Sequence, residues 1–315
     1  MNNSIWILAY FCQHYGGRVE VDEFGREHLV TLREAMEREY LHLAWSRDGR
    51  HFEPLNGNRP TWPEQWMRDP FVNRGADGKF HLLATGPRDE DGVQRSCLYA
   101  VSSDLICWQT RKLPLMRSVS QARNVWAPEW FYDAQAGEYL LLWSSSFRDV
   151  GWKESRLWSC RTRDWQEFSE PRVFFEPPYS VIDGTLIERG GRYFLFHKEE
   201  EFGVQKGERR AIRLATSDSP DGPWTLFEGP YEGAVVPTIT EGPAVLPDPQ
   251  GDGWLLLYDF CATDDYGISH STDLFRWQEL PATEVAFPLA ARHGSALPVS
   301  QEEFAALQNV FAAMG

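Results

Sequence analysis

A short turn pattern recurs five times along the chain, and no other feature restricts the fold so tightly. A small or polar residue precedes an Asp, and an aromatic ring follows a few residues on. The copies are Ser46-Arg47-Asp48 with Phe52, Ser102-Ser103-Asp104 with Trp108, Thr162-Arg163-Asp164 with Trp165, Ser217-Asp218 with Trp224, and Ser271-Thr272-Asp273 with Trp277. Successive Asp residues lie 56, 60, 54 and 55 positions apart. Self-similarity at a fixed period of this size marks a repeat architecture rather than independent domains. Each copy reads as a tight turn between two outer strands, with Asp accepting the turn hydrogen bonds. The third copy is shortened, and the fourth carries a Pro-Asp-Gly-Pro insertion.

A second pattern runs in phase with the first. Five segments open on a charged residue or His, run apolar, and the first four turn at Gly into an aromatic-aliphatic strand. They begin at Arg68-Asp69-Pro70, Ala127-Pro128-Glu129, Ile182-Asp183-Gly184, Glu241-Gly242-Pro243 and Arg292-His293-Gly294. The fifth lacks a following strand, and the N-terminal run Trp6 to Phe11 is a spare one. With Leu41 to Trp45 and His51 to Glu53, that run completes a fifth unit and closes a ring without free sheet edges. Five four-stranded units of 52 to 60 residues use the whole chain. The expectation is therefore all-β: a five-bladed β-propeller, one domain spanning residues 1–315. The 14 Trp, 19 Phe and 11 Tyr among 315 residues then have a purpose, because every blade must pack rings on its neighbours.

Two capping-box spacings, Thr31 with Glu34 and Ser300 with Glu303, predict decorating helices to about Tyr40 and about Phe311. Net charge is −15, which argues against nucleic acid as a partner. No apolar run reaches the roughly 18 residues of a membrane span, and the N-terminus lacks the features of a signal peptide. Five Cys without a CxxC pair read as reduced, buried thiols in a cytoplasmic protein. Oligomeric state is left open.

The inner strands of a propeller converge on its axis. Asp69, Glu129, Asp183, Glu241 and His293, at steps of 60, 54, 58 and 52, are expected to meet at one mouth. Crowded carboxyl groups in a partly dry pocket separate in pKa, so one keeps its proton near neutrality. Such a pair, one acid and one base, is what glycoside hydrolysis needs. Taken singly, Asp69 before Pro70 and Asp183 before Gly184 are ordinary turn residues, and Glu129 is as much a structural group as a substrate contact. The shared blade position gives them a common role. Trp130 reads as packing, Lys198 as a rim residue and Glu199 to Glu201 as a solvated hairpin loop.

Arg68-Asp69-Pro70, Trp126-Ala127-Pro128-Glu129, Ile182-Asp183-Gly184, Glu241-Gly242-Pro243 and Arg292-His293-Gly294, in this order, resemble glycoside hydrolase family 43 over nearly the whole chain. That resemblance implies an inverting enzyme acting on furanosides or xylosides with three acids from three blades. Asp69 matches the general base, Glu241 the general acid, and Asp183 the residue that tunes the acid's pKa. Inversion requires base and acid carboxyls roughly 6.5–9.5 Å apart. Asp-Gly-Thr at the third position, where many relatives have Asp-Pro, shifts the expectation toward arabinofuranosides and, second, galactofuranosides. Arg123, Trp126, Glu129 and Arg292 are the expected substrate-binding residues, although Arg123 and Arg292 equally suit holding the acids in place. No cofactor is required; the resemblance leaves room for a structural calcium at the axis, held through water and His293. The reading is an exo-acting glycosidase that removes a terminal furanose, favouring α-L-arabinofuranose, from plant oligosaccharides. Its alternatives are a β-xylosidase, a β-D-galactofuranosidase, a phosphorolytic propeller enzyme and a non-catalytic sugar-binding propeller.

Overall fold

A computed structural model of the chain describes residues 5–13, 18–21, 27–30, 39–150, 154–201, 209–237, 239–261, 263 and 265–313. The predicted helix from Thr31 falls outside them. Five sheets form the blades of a propeller. Blade I runs outward from Arg68–Arg74 through Phe80–Thr85 and Cys97–Ser102 to Gln109–Leu113. Blades II, III and IV repeat this order from the inner strands Trp126–Asp133, Val181–Arg189 and Thr240–Pro247. In blade V the inner strand is Ala291–Val299, and the N-terminal strand Ile5–Cys12 pairs with it antiparallel, Ile5 opposite Val299 and Cys12 opposite Ala291. Tyr40–Ser46 and Glu53–Pro54 complete that blade, so the two ends of the chain close the ring as expected.

The repeated turn works as its residue types dictate. In four copies Asp accepts two backbone N–H groups, as Asp104 Oδ1 does from Ile106 and Cys107 at 2.9 and 2.8 Å. The fourth copy departs at its insertion, where Ser217 Oγ accepts the Ser219 N–H instead. Between consecutive blades lie five apolar clusters, and each receives one repeat aromatic: Trp108, Trp165, Phe52, Trp224 or Trp277. Burying one such ring contributes about 1.5–3 kcal/mol. These rings thus weld blade to blade rather than filling one central core.

Ser300 caps the helix Gln301–Ala313: Glu303 N–H donates to Ser300 Oγ at 3.2 Å, and Ser300 N–H to a Glu303 carboxylate oxygen at 2.8 Å. Phe304, Leu307 and Phe311 on one face of that helix cover the cluster between blades V and I. Cys12, Cys97, Cys160 and Cys261 are buried thiols, but Cys107 is exposed, since it sits in a rim turn. Among the described residues no helix is long and apolar enough to cross a membrane.

Candidate active site

Every inner strand slips its register near its start. The shift falls between Arg68 and Phe71, Trp126 and Glu129, Ile182 and Thr185, and Glu241 and Ala244, and in blade V opposite Ala9 to Phe11. Such bulges re-aim side chains, here toward the axis. Within four of them one residue takes a left-handed backbone: Asp69 at φ 52°, Ala127 at 42°, Asp183 at 50° and Gly242 at 60°. Non-glycine residues rarely adopt this conformation, and where they do the surrounding structure enforces it.

Register therefore sorts the predicted residues into levels. Asp69, Ala127, Asp183, Gly242 and His293 share one. Glu241 lies one residue earlier, level with Trp126 and Arg292. Glu129 lies two residues later than Ala127, level with Thr185 and Ser295. The four carboxylates expected at one mouth thus stand on three tiers, because Glu241 precedes, Asp69 and Asp183 occupy, and Glu129 follows the left-handed position of a bulge that these strands share. Blade IV could not carry a side chain at the middle level: a Cβ on Gly242 would sit 2.0 Å from His293 Cβ.

The middle level is a closed circuit between neighbouring blades. Thr85 Oγ1 donates to Asp69 Oδ2 at 2.5 Å and accepts the Ala127 N–H at 2.9 Å. Ser144 Oγ accepts the Asp183 N–H, and Asp183 Oδ2 accepts the Gly242 N–H, both at 3.2 Å. Asp259 Oδ2 accepts the His293 N–H at 2.9 Å and faces its Nδ1 at 2.8 Å. His293 Nε2 then lies 3.0 Å from Asp69 Oδ1. Burial opposes the charge on His293, but Asp259 and Asp69 outweigh it and hold its pKa well above the ordinary value. Burial likewise acts to raise Asp69, and His293, Arg68 and Thr85 together pull it below the usual range. Asp69 is thereby held as an anion.

Asp183 is pushed up to about 6, chiefly by burial and further by the charges of Glu241 and Asp69, against the pull of His293 and Lys198. One level above, Glu241 meets Lys198 Nζ at 2.5 Å and the Arg292 guanidinium. Burial would raise Glu241, yet these two cations hold it well below the ordinary carboxylate range. One level below, Thr185 Oγ1 lies 2.7 and 2.6 Å from the two Glu129 carboxyl oxygens. Burial and the charge of Asp183 raise Glu129 well above its usual value despite that bond. Asp69, Asp183, Glu129 and His293 line an axial cavity of ≈ 10 Å³, room for about one water.

The family model described as "Probable glycosyl hydrolase domain", the group related to glycoside hydrolase family 43, matches residues 28–305. The chain belongs to this family. An α-L-arabinofuranosidase of Bifidobacterium longum subsp. longum is 26% identical, the match covering 61% of this chain and 22% of that protein. This chain thus spans less than a quarter of that relative's length. Among solved structures, a thermostable family-43 glycoside hydrolase superposes with a TM-score of 0.62 at 14% identity, covering 90% of this chain and 96% of the other. A Clostridium thermocellum α-L-arabinofuranosidase gives 0.61 at 12% identity, over 91% and 93%. At such identities the structural matches establish the shared propeller.

Against this family-43-like frame the binding residues divide. Trp126 is 43% exposed, its indole N–H donating to Gln94 Oε1 at 2.8 Å, and with Arg123 it borders an open cleft. Arg292 is only 1% exposed, so of its two expected roles it takes the bracing one, spanning Glu241 and Asp259. Glu129 faces the axial cavity and Thr185 rather than the Trp126 level. His293 does not fit a calcium ligand: carboxylates occupy both ring nitrogens. The donor atoms of Glu241, Asp259 and His293 do lie within 4.8 Å of one another, but Arg292 already supplies the positive charge among them.

Two participants escaped sequence reasoning. Lys198, expected at the rim, is 1% exposed with Nζ on Glu241 and, at 2.7 Å, Glu200. Glu199 to Glu201, expected to form a solvated loop, instead continue its strand, with buried Glu199 paired to Arg213 at 2.5 Å. Asp259 is fully buried opposite Glu241 in the blade IV ladder. A signal existed for both: each interrupts an apolar strand, Phe194-Leu195-Phe196-His197-Lys198 and Leu255-Leu256-Leu257-Tyr258-Asp259. A charged residue buried in such a run needs a partner.

Proposed function

We propose that the protein is an inverting, exo-acting glycoside hydrolase that removes terminal α-L-arabinofuranose from oligosaccharides. Asp69 is the base that activates water, Glu241 the acid at the leaving oxygen, and Asp183 the group that tunes the acid. The observation that carries this reading is electrostatic. Two Asp carboxyls held at the same level of the axis by separate blades are driven in opposite directions, Asp69 down and Asp183 up to about 6. That split supplies a base and a proton reservoir in one pocket. In the free protein Lys198 and Arg292 favour the Glu241 anion against burial, so its role as acid requires a proton gained with the bound substrate. Asp183, whose carboxyl is bonded to the residue following Glu241, is the reservoir beside it. The arabinofuranosidase relatives favour the choice of sugar.

Hydrolysis of nitrophenyl α-L-arabinofuranoside, β-D-xyloside and β-D-galactofuranoside tests the reading, with NMR following the anomer first released. Arabinofuranoside turnover with inverted product is the expected result. Preference for another member of the panel reassigns the sugar, a retained anomer overturns the mechanism, and no turnover on any of the three favours a binding propeller.

A further inference from the structure

Glu241, in blade IV, is flanked by a cation from each neighbouring blade. Lys198, on the blade III strand Arg192–Glu201, and Arg292, on the inner strand of blade V, are both 1% exposed. That setting opposes the task of an acid. Once Glu241 holds a proton, two buried cations face a neutral carboxyl, and a buried charge without a partner is costly. Each cation, however, holds a second carboxylate. Glu200 Oε2 lies 2.7 Å from Lys198 Nζ, and Asp259 Oδ1 lies 3.0 Å from Arg292 Nη2. Strand geometry fixes both contacts. Lys198 and Glu200 are two residues apart on one strand, hence on one face, while Glu199 between them turns to Arg213. Asp259 stands directly opposite Glu241 in the blade IV ladder, a place where like charges repel. Arg292 reaches over from blade V and bridges the two. His293 and Asp183 also act on Glu241 through their charges.

We propose that Glu200 and Asp259 are positioning residues that let Glu241 alternate between anion and acid, keeping Lys198 and Arg292 paired while its carboxyl carries a proton. The proposal rests on the glycosidase reading and deepens the role given there to Glu241. Each residue acts through the cation it shares with the acid, not on the substrate. With all three carboxylates charged, the two cations are divided among them, and their hold on Glu241 is weakened. When Glu241 is neutral, Lys198 keeps Glu200 and Arg292 keeps Asp259. Asp259 is also fixed independently of Arg292, because its Oδ2 accepts the His293 N–H at 2.9 Å and faces Nδ1 at 2.8 Å. Removing either carboxylate leaves one cation to Glu241 alone and ties the acid to its anionic form.

Kinetics of Glu200→Gln on the nitrophenyl and methyl glycosides of the sugar the wild type prefers test this. Nitrophenolate leaves with little help from an acid, whereas methoxide needs its proton. On the methyl glycoside kcat/KM is expected to fall about tenfold or more, within the roughly 10²–10⁴-fold that an acid supplies. On the nitrophenyl glycoside it should stay within about threefold of wild type. Asp259→Asn should lower both, since His293 is loosened too, yet the methyl glycoside more, and it serves should Glu200→Gln fail to fold. A merely structural loss lowers both substrates equally; that result, or no loss on either, overturns the proposal. Stability gives a second reading without turnover. In a Glu200→Gln background Glu241→Gln strips Lys198 of both carboxylates, so the double variant should lose more in urea midpoint than the two single losses combined. A double variant that fails to fold where both singles fold is the same result in extreme form, and additive losses overturn the proposal. A wild type inactive on every glycoside counts against the glycosidase reading alone, because the stability comparison stands without it.

Discussion

The repeat places aspartates at two radii, and their surroundings differ in kind. At the rim, Asp48, Asp104, Asp164 and Asp273 accept backbone N–H groups two and three residues ahead, at 2.8 to 3.0 Å. At Asp48, Asp104 and Asp273 burial works to raise the pKa, and these local bonds more than reverse it; at Asp164 the bonds themselves dominate. At the axis, Asp69 and Asp183 sit in left-handed bulges and bond to Thr85, His293 and the Gly242 N–H. A rim Asp is determined by its own turn, so near-identical copies arise wherever the turn recurs. An axial Asp is determined by other blades, so equivalent positions hold Asp, Ala, Asp, Gly and His. The fold is stored in what repeats, and the chemistry in what fails to repeat.

The strongest attempt to break this contrast is Asp69→Asn. Removing a general base typically costs 10²–10⁴-fold, and we expect kcat on the preferred furanoside to fall at least ~10³-fold. Far-UV circular dichroism should be unchanged, because the amide still accepts from Thr85. Wild-type turnover in that variant sinks the assignment of the base.

Glu241→Gln sharpens the axial side. It leaves Lys198 and Arg292, both almost wholly buried, facing a neutral amide. Stripping one partner from a buried ion pair costs about 3–5 kcal/mol, so urea denaturation should show a loss of about 3 kcal/mol together with the loss of activity. Adding Lys198→Met should return part of that stability and none of the activity. Were Glu241→Gln as stable as the wild type, the clamp around the acid would not exist as described.

Both halves of the contrast bear on what was legible in the sequence. The rim turns, the ring closure and the Ser300 cap were readable because each depends on residues within a few positions, or on a period counted along the chain. The axial tiers were not. Glu241, Asp69 and Glu129 hold different positions within a bulge that the inner strands share, and steps of 52 to 60 residues cannot register an offset of one or two. Lys198 and Asp259 were hidden for a related reason. Their partners stand on the following blade, Glu241 for Lys198 and Arg292 and His293 for Asp259, more than 30 residues away along the chain. The ion expected at His293 comes from the family resemblance alone, and Asp259, the carboxylate on its Nδ1, lies outside every motif that carries that resemblance.

A pH profile probes the two axial aspartates against each other. Asp183 is raised to about 6, so it carries its proton below that pH and loses it as pH rises. Asp69 is lowered and remains an anion throughout this range. The acid function is thus lost from the alkaline side, and kcat/KM should fall about tenfold per pH unit once pH exceeds the pKa. Because Asp183 and Glu241 interact, that limb belongs to the pair. Asp183→Asn should lower the rate and remove the limb near pH 6, and a limb unmoved by this substitution would assign the proton elsewhere.

The smallest effect is expected at the rim, and it completes the comparison. Asp104→Ala deletes the acceptor of two backbone N–H groups and of the Ser102 hydroxyl. These groups are close to solvent, so water replaces most of what is lost, and the net cost should be about 1 kcal/mol. Asp104→Asn keeps an oxygen where Oδ1 stood and should recover most of that cost. Neither substitution reaches the axis, so kcat and KM should equal those of the wild type. If Asp104→Ala instead lowered kcat as Asp69→Asn does, rim and axis would not be separable, and the division between a repeated scaffold and a divergent centre would fall with them.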